Sequence, residues 1–139
     1  IHLHFKLPEN EQTERLIKAM KNPNVDAIFH PTTRIIHRRE PILLDMAKVF
    51  EAAKETGTIM EIDALPNRLD LKDEHIREAK EKGVMMAINT DAHSTLHLHL
   101  MEYGVGQARR AGCEKKHILN ALPLAKFLEI IKKPKNKRF

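Results

Sequence analysis

Short apolar runs alternate along this chain with amphipathic stretches, and ionisable residues close the apolar runs. Val25–Phe29 is followed by His30. Thr58–Ile62 carries Glu61 and leads into Asp63. Val84–Asn89 leads into Asp91 and His93. Between these runs, Leu16, Ile17 and Met20 mark a helix over Glu9–Lys21. Leu43, Leu44, Ala47, Phe50 and Ala53 mark a second, with Pro41 as a good first residue and Gly57 as its stop. Asp73 can cap a third helix that runs to Lys82 and ends at Gly83. Ile1–Phe5 alternates like a strand. The remainder reads as helices punctuated by Gly104, Gly106 and Gly112, with Pro123 opening the last. Strand and helix in repeated alternation predict an α/β fold of parallel strands joined by crossover helices. In β/α barrels the carboxyl ends of the strands build the site, so His30, Glu61, Asp63, Asp91 and His93 are the residues to weigh. The strands present are too few to close a barrel of the usual size. The expectation is therefore an open sheet or the back half of a barrel.

Composition narrows the partners. The formal net charge is +5. Five of the bases, Lys132, Lys133, Lys135, Lys137 and Arg138, stand in residues 132–139 without an acid among them, so residues 1–131 balance. The chain is expected to be one domain over 1–131 with a flexible basic tail over 132–139. Such a tail can touch phosphates or simply be solvated. Aromatic residues make up 4% with no Trp, which supplies poorly any platform for base stacking. Cys113 is the single cysteine, so there is no disulfide framework, and nothing beside it marks a nucleophile. With no candidate membrane span or secretory segment, a reducing, cytoplasmic setting is expected. The start at Ile1 reads as a fragment or a processed product.

Histidine and aspartate together suit Zn, Mn or Fe(II). Asp91 and His93, two apart after an apolar strand and matched by His30 after another, are candidate ligands, with Asp91 and His93 as the catalytic pair. The bland alternative is that His30 and Asp91 only cap local turns. A metal there would acidify bound water and make hydroxide at neutral pH. Arg34, Arg38 and Arg39 follow His30 closely and match phosphate geometry; otherwise they form a solvated loop paired with Glu40. Glu61 and Asp63 share a strand face. They could orient the ligand histidines from behind, or form a buried salt bridge with Arg68 or Arg34. His2 is preferred over His4 as a further ligand. His37, His75, His97, His99 and His117 read as surface or packing residues.

Several segments together resemble one family. They are Ile-His-Leu-His-Phe-Lys-Leu-Pro (1–8), His-Pro-Thr-Thr-Arg-Ile-Ile-His-Arg-Arg-Glu-Pro (30–41), Glu-Ile-Asp-Ala-Leu-Pro-Asn-Arg-Leu-Asp-Leu (61–71), Ile-Asn-Thr-Asp-Ala-His-Ser-Thr (88–95) and Met-Glu-Tyr-Gly-Val-Gly-Gln-Ala-Arg-Arg (101–110). In this order they resemble the C-terminal half of the PHP (polymerase and histidinol phosphatase) domain of bacterial or archaeal family X DNA polymerases. The resemblance implies a distorted seven-stranded β/α barrel with up to three divalent metals, Mn, Zn or Fe, at its mouth. It implies phosphoester hydrolysis in DNA repair: 3′–5′ exonuclease, 3′-end phosphatase and abasic-site endonuclease work. DNA 3′ ends, gaps and abasic sites are the implied partners, met through the full-length polymerase. His2, His30, Asp91 and His93 match ligand positions, and Arg34 and Arg39 match basic positions of the loop. Thr33 and His37 stand where glycine is common in the family. The family's first His-x-His motif, its downstream ligands and the polymerase core are not in this sequence. The isolated chain is therefore expected to be inactive alone. Two other readings remain: a non-catalytic module that supports the polymerase or holds DNA, and a stand-alone phosphatase of the histidinol-phosphate kind.

Overall fold

A computed structural model describes residues 6–139. The strand expected at Ile1–Phe5, and with it His2 and His4, lies outside the described residues. The elements are α1 (Glu9–Met20), β1 (Ala27–Ile28), α2 (Met46–Thr56), β2 (Ile59–Asp63), α3 (Asp73–Glu81), β3 (Met86–Asn89), α4 (Met101–Arg110) and α5 (Leu124–Lys132), with short 3₁₀ turns between the later helices.

The three strands form one parallel sheet in chain order. Ala27 pairs with Ile59, Met60 with Met86, and Asp63 with Asn89. The intervening helices α2 and α3 are the crossovers that parallel pairing demands. This is the expected α/β architecture; a seven-stranded barrel is not among the described elements. The middle strand β2 is buried at every position, as a parallel strand covered on both faces must be. On one face Met60 and Ile62 pack with Met20, Val49, Phe50 and Ile76. On the other, Ile59 packs with Leu119 and Ile130 of the C-terminal turns and α5. Beside β3, the Asn120 amide accepts from Ile88 N at 3.1 Å and donates to Ile88 O at 2.7 Å. One side chain there makes the two bonds a neighbouring strand would make.

Element boundaries differ from expectation where long-range bonds decide them. Pro41 does not open α2. Ile42 N donates to Thr32 O at 2.9 Å, which draws 41–45 into the preceding loop. Asp45 then caps the helix by accepting from Lys48 N at 3.1 Å. Asp73 is not a cap; it lies in the first turn of α3, where a carboxylate suits the dipole. Gly104 does not punctuate helices but lies inside α4. A Cβ there would stand 2.5 Å from Ile88 Cγ2 and 2.8 Å from Ala64 Cβ, so its bare backbone lets α4 close on the sheet.

The residues read as a flexible basic tail are docked. Lys135 is buried, and its Nζ donates to Met20 O and, at 3.4 Å, to Asn22 O. Arg138 pairs with Asp26 at 2.6 Å. The chain's charge excess thus partly serves to fasten its own C-terminus.

Thr33 and His37 adopt left-handed backbone, with φ of 59° and 60°. That explains why glycine suits these positions. Thr33 is β-branched, and its Oγ1 is buried with no hydrogen-bond partner among the described residues. Thr33→Gly should therefore stabilise the chain by about 1 kcal/mol, the relief of a left-handed residue and an orphan hydroxyl less the added freedom of glycine when unfolded. A urea melt checks this; an unchanged or lower midpoint would contradict it.

Candidate metal centre

Each strand delivers one residue or more to the carboxyl edge of the sheet. His30 follows β1, Asp63 ends β2, and Asp91 follows β3. One ligand atom from each lies within 4.8 Å of the other two. Because the strands are parallel and in register, residues far apart in sequence meet without any long side chain reaching for another.

The cluster is held from beneath. Glu61 Oε2 accepts from His30 N at 2.6 Å, and Glu61 Oε1 accepts from Asn89 Nδ2 at 3.1 Å. Both Glu61 oxygens are thus engaged in fixing β1 to β2 and β2 to β3. Burial pushes the Glu61 carboxyl above its ordinary range, against the pull of these donors. Asp63 is fully buried. Its Oδ2 lies 3.1 Å from His30 Nδ1, and its Oδ1 accepts from Leu65 N at 2.8 Å. The Nδ1 contact leaves His30 Nε2 on the side of Asp91, whose Oδ1 is 3.7 Å away. The hydrogen bond with Asp63 holds the His30 imidazole above its ordinary pKa. Burial opposes it, and the charges of Glu61, Asp63 and Asp91 reinforce it. The field that favours a proton on His30 is the field a divalent cation would meet.

Arg68 completes the charge balance. Its Nε stands 3.7 Å from Asp63 Oδ2 and 3.6 Å from Asp91 Oδ2. The buried salt bridge weighed for Asp63 and the contact with His30 therefore occur together. A donor set of one imidazole nitrogen and two carboxylate oxygens fits the divalent metals that the sequence reading named.

The other nominated residues lie outside the three-residue group, with His93 Nδ1 at its border, 3.9 Å from Asp91 Oδ1. His93 is exposed and outside the three-residue group; its Nδ1 sits 2.6 Å from the carbonyl of Asp91. Arg34 donates through Nε to Arg68 O at 2.7 Å and through Nη2 to Leu69 O. Arg39 donates twice to Thr33 O, at 2.8 and 2.6 Å. Arg38 is exposed. Sequence reasoning gave no role to Asp70. It is buried and accepts from Thr32 N at 3.0 Å, Thr32 Oγ1 at 2.8 Å and Thr33 N at 2.7 Å, tying the loop after His30 to the segment after β2. Burial pushes its carboxyl upward against those donors. An acid flanked by Leu69 and Leu71 was the signal in the sequence.

A parallel α/β sheet with histidine and aspartate gathered at its carboxyl edge defines a protein whose site is made by strand ends, with a set of side chains suited to a divalent metal. No protein-family model matches the chain. Over 124 residues, 89% of its length, it is 44% identical to the DNA polymerase/3′–5′ exonuclease PolX of Bacillus subtilis strain 168, of which it spans 22%. It is 34% identical over 131 residues to a probable phosphatase of Thermoanaerobacter sp. strain X514, spanning 51% of that protein. A probable phosphatase of Acetivibrio thermocellus is 36% identical over 88 residues. The chain is a PHP segment homologous to that of family X DNA polymerases. No helix among the described residues is long and apolar enough to cross a membrane.

Proposed function

We propose that the chain is a metal-dependent phosphoesterase module of a family X DNA repair polymerase, working on DNA 3′ ends, gaps or abasic sites. The observation that carries this is the meeting of His30, Asp63 and Asp91 at three strand ends, in a chain that resembles both a polymerase–exonuclease and probable phosphatases.

His30, Asp63 and Asp91 would hold the ion, with His2 and His93 as further donors. When bound, it would supply an acidified water and a Lewis-acidic contact for a phosphoryl oxygen. The chain's own residues prepare that chemistry. Asp63 fixes the imidazole through Nδ1 and so sets which nitrogen faces the site. Glu61 holds the His30 backbone. Arg68 supplies positive charge beside the carboxylates. On this reading, residues 1–131 are part of a PHP barrel whose remaining ligands come from the upstream sequence of the complete domain, and the chain alone turns over no phosphoester.

The test is 3′-end hydrolysis on DNA with Mn²⁺, by the chain alone and by a version extended upstream to the length of the phosphatase relatives. The extended protein should be active, and Asp91→Asn should cost it at least about 100-fold. Activity of the short chain would sink the half-site reading. An inactive extended protein that still binds DNA would point to a non-catalytic module, a reading favoured by one observation: Arg68 already places a positive charge beside both carboxylates.

A further inference from the structure

We propose that the cavity between the loop 32–41 and the first turn of α3 is a second phosphate site, separate from the metal cluster, which takes a backbone phosphate of single-stranded DNA. The choice of DNA as the source of the phosphate rests on the function proposed above; the site itself does not.

The cavity measures about 280 Å³ and has Arg34, Arg39, Glu40, Lys72 and His75 among its lining residues. It shares none of them with the group His30, Asp63 and Asp91. Three permanent cations thus line it against one lining carboxylate, that of Glu40. The guanidinium groups do not wander. Arg34 is pinned to the carbonyls of Arg68 and Leu69, and Arg39 to that of Thr33. The Nε–Nη2 edge of each is spent on these carbonyls, so what the two offer a ligand is positive charge fixed in place, with little ordering entropy left to lose. Lys72 reaches Glu74 at 2.5 Å, but both side chains are exposed and water screens such a pair.

His75 lines the same cavity. Its ring is fixed edge-on against Phe50, with centroids 6.5 Å apart. Its Nδ1 is buried and finds no hydrogen-bond partner among the described residues. Burial, with the charges of Lys72 and Arg34, holds the imidazole below its ordinary pKa. The neutral form is thereby favoured, and it offers one N–H and one lone pair in a positive surrounding. A buried ring nitrogen left unpaired is costly. Nδ1 is closed off from solvent where it lies, so a phosphate oxygen entering the cavity would meet the cations rather than this atom. Among the described residues that line the cavity there is no Phe, Tyr or Trp to stack a base, so recognition would be of the backbone and independent of sequence.

The segment 68–70 lies between the two sites. Arg34 of the cavity bonds the carbonyl of Arg68, whose guanidinium stands beside Asp63 and Asp91.

The experiment is a fluorescence-anisotropy titration of a labelled single-stranded oligonucleotide against this chain, in chelator and over a salt series. The chelator removes metal, so a failure of hydrolysis and a failure of this site are read separately. Lys72 makes no capping bond for α3, so Lys72→Glu leaves the helix start intact. It should weaken binding at least about tenfold and lower the salt slope by about one. Lys126→Glu, on exposed α5, makes the same change in net charge and should weaken it far less. Glu40→Gln should tighten it. Equal losses for Lys72→Glu and Lys126→Glu, or an unchanged salt slope in the former, would overturn the proposal. Lys72-dependent binding of inorganic phosphate without binding of the oligonucleotide would overturn the assignment to DNA.

Discussion

A His30→Ala, Asp91→Ala double variant should lose at least about 100-fold in affinity for Mn²⁺ or Zn²⁺ relative to the parent chain. Two of the three donors that meet at the strand ends would be gone. The one left, Asp63, would offer a carboxylate already engaged by Leu65 N and close to Arg68. Those same contacts keep Asp63 compensated when His30 is removed, so the fold should survive. Calorimetric titration of both proteins, with circular dichroism as the control for folding, gives the answer. Equal affinity in parent and variant would place any metal on other residues and would remove the main support for hydrolysis at this edge of the sheet.

Gly57→Ala should cost about 3 kcal/mol or more of stability, a large effect for the addition of one methyl group. Gly57 ends α2 with φ of 68°. Any other residue there pays roughly 1–2 kcal/mol for the left-handed backbone. The added Cβ would also lie 2.0 Å from the carbonyl oxygen of Lys135. That atom belongs to the backbone and cannot rotate aside, so the docked C-terminus would have to lift. With it would go the bonds from Lys135 to Met20 and Asn22 and the Arg138–Asp26 pair. A double-mutant cycle separates the two causes. In a chain ending at residue 133 the cost of Gly57→Ala should fall to the backbone term alone. An equal loss in the full and the shortened chain would show that the tail is not held against this turn.

The carboxyl edge of the sheet is legible in the sequence because its grammar is local. An apolar run followed by an ionisable residue identifies a strand and its end together, and parallel strands then bring those ends to one place. His30, Asp63 and Asp91 follow from that rule as strand-end residues, but the rule does not show that Asp63 rather than His93 completes the group. What escapes are features set by bonds across many residues. Periodicity cannot show that Ile42 pairs with Thr32 and so delays α2 to Met46. A row of lysines looks solvated until Lys135 is found against the end of α1. The arginines after His30 are of the type that binds phosphate, yet the carbonyls of Thr33, Arg68 and Leu69 fix where two of them lie. No pattern along the chain shows which carbonyl will be near. Gly104 misleads for the same reason, since its close neighbours, Ile88 and Ala64, belong to other elements.

The left-handed backbone positions sort by residue type. Gly57, Gly83 and Gly112 take them where α2, α3 and α4 end. His30, Thr33, His37, Leu69 and Asp91 take them in the loops that leave the strands. Two of these five, His30 and Asp91, belong to the candidate metal group, where glycine would bring no donor. The helix-ending turns use the residue that relaxes most readily into such a shape, whereas the strand-leaving loops keep functional side chains at the expense of local comfort. The sheet is therefore polar in a mechanical sense as well as a chemical one. One end is built for ease of closure, and the other is kept in shape by the bonds of Asp70, Arg34 and Glu61.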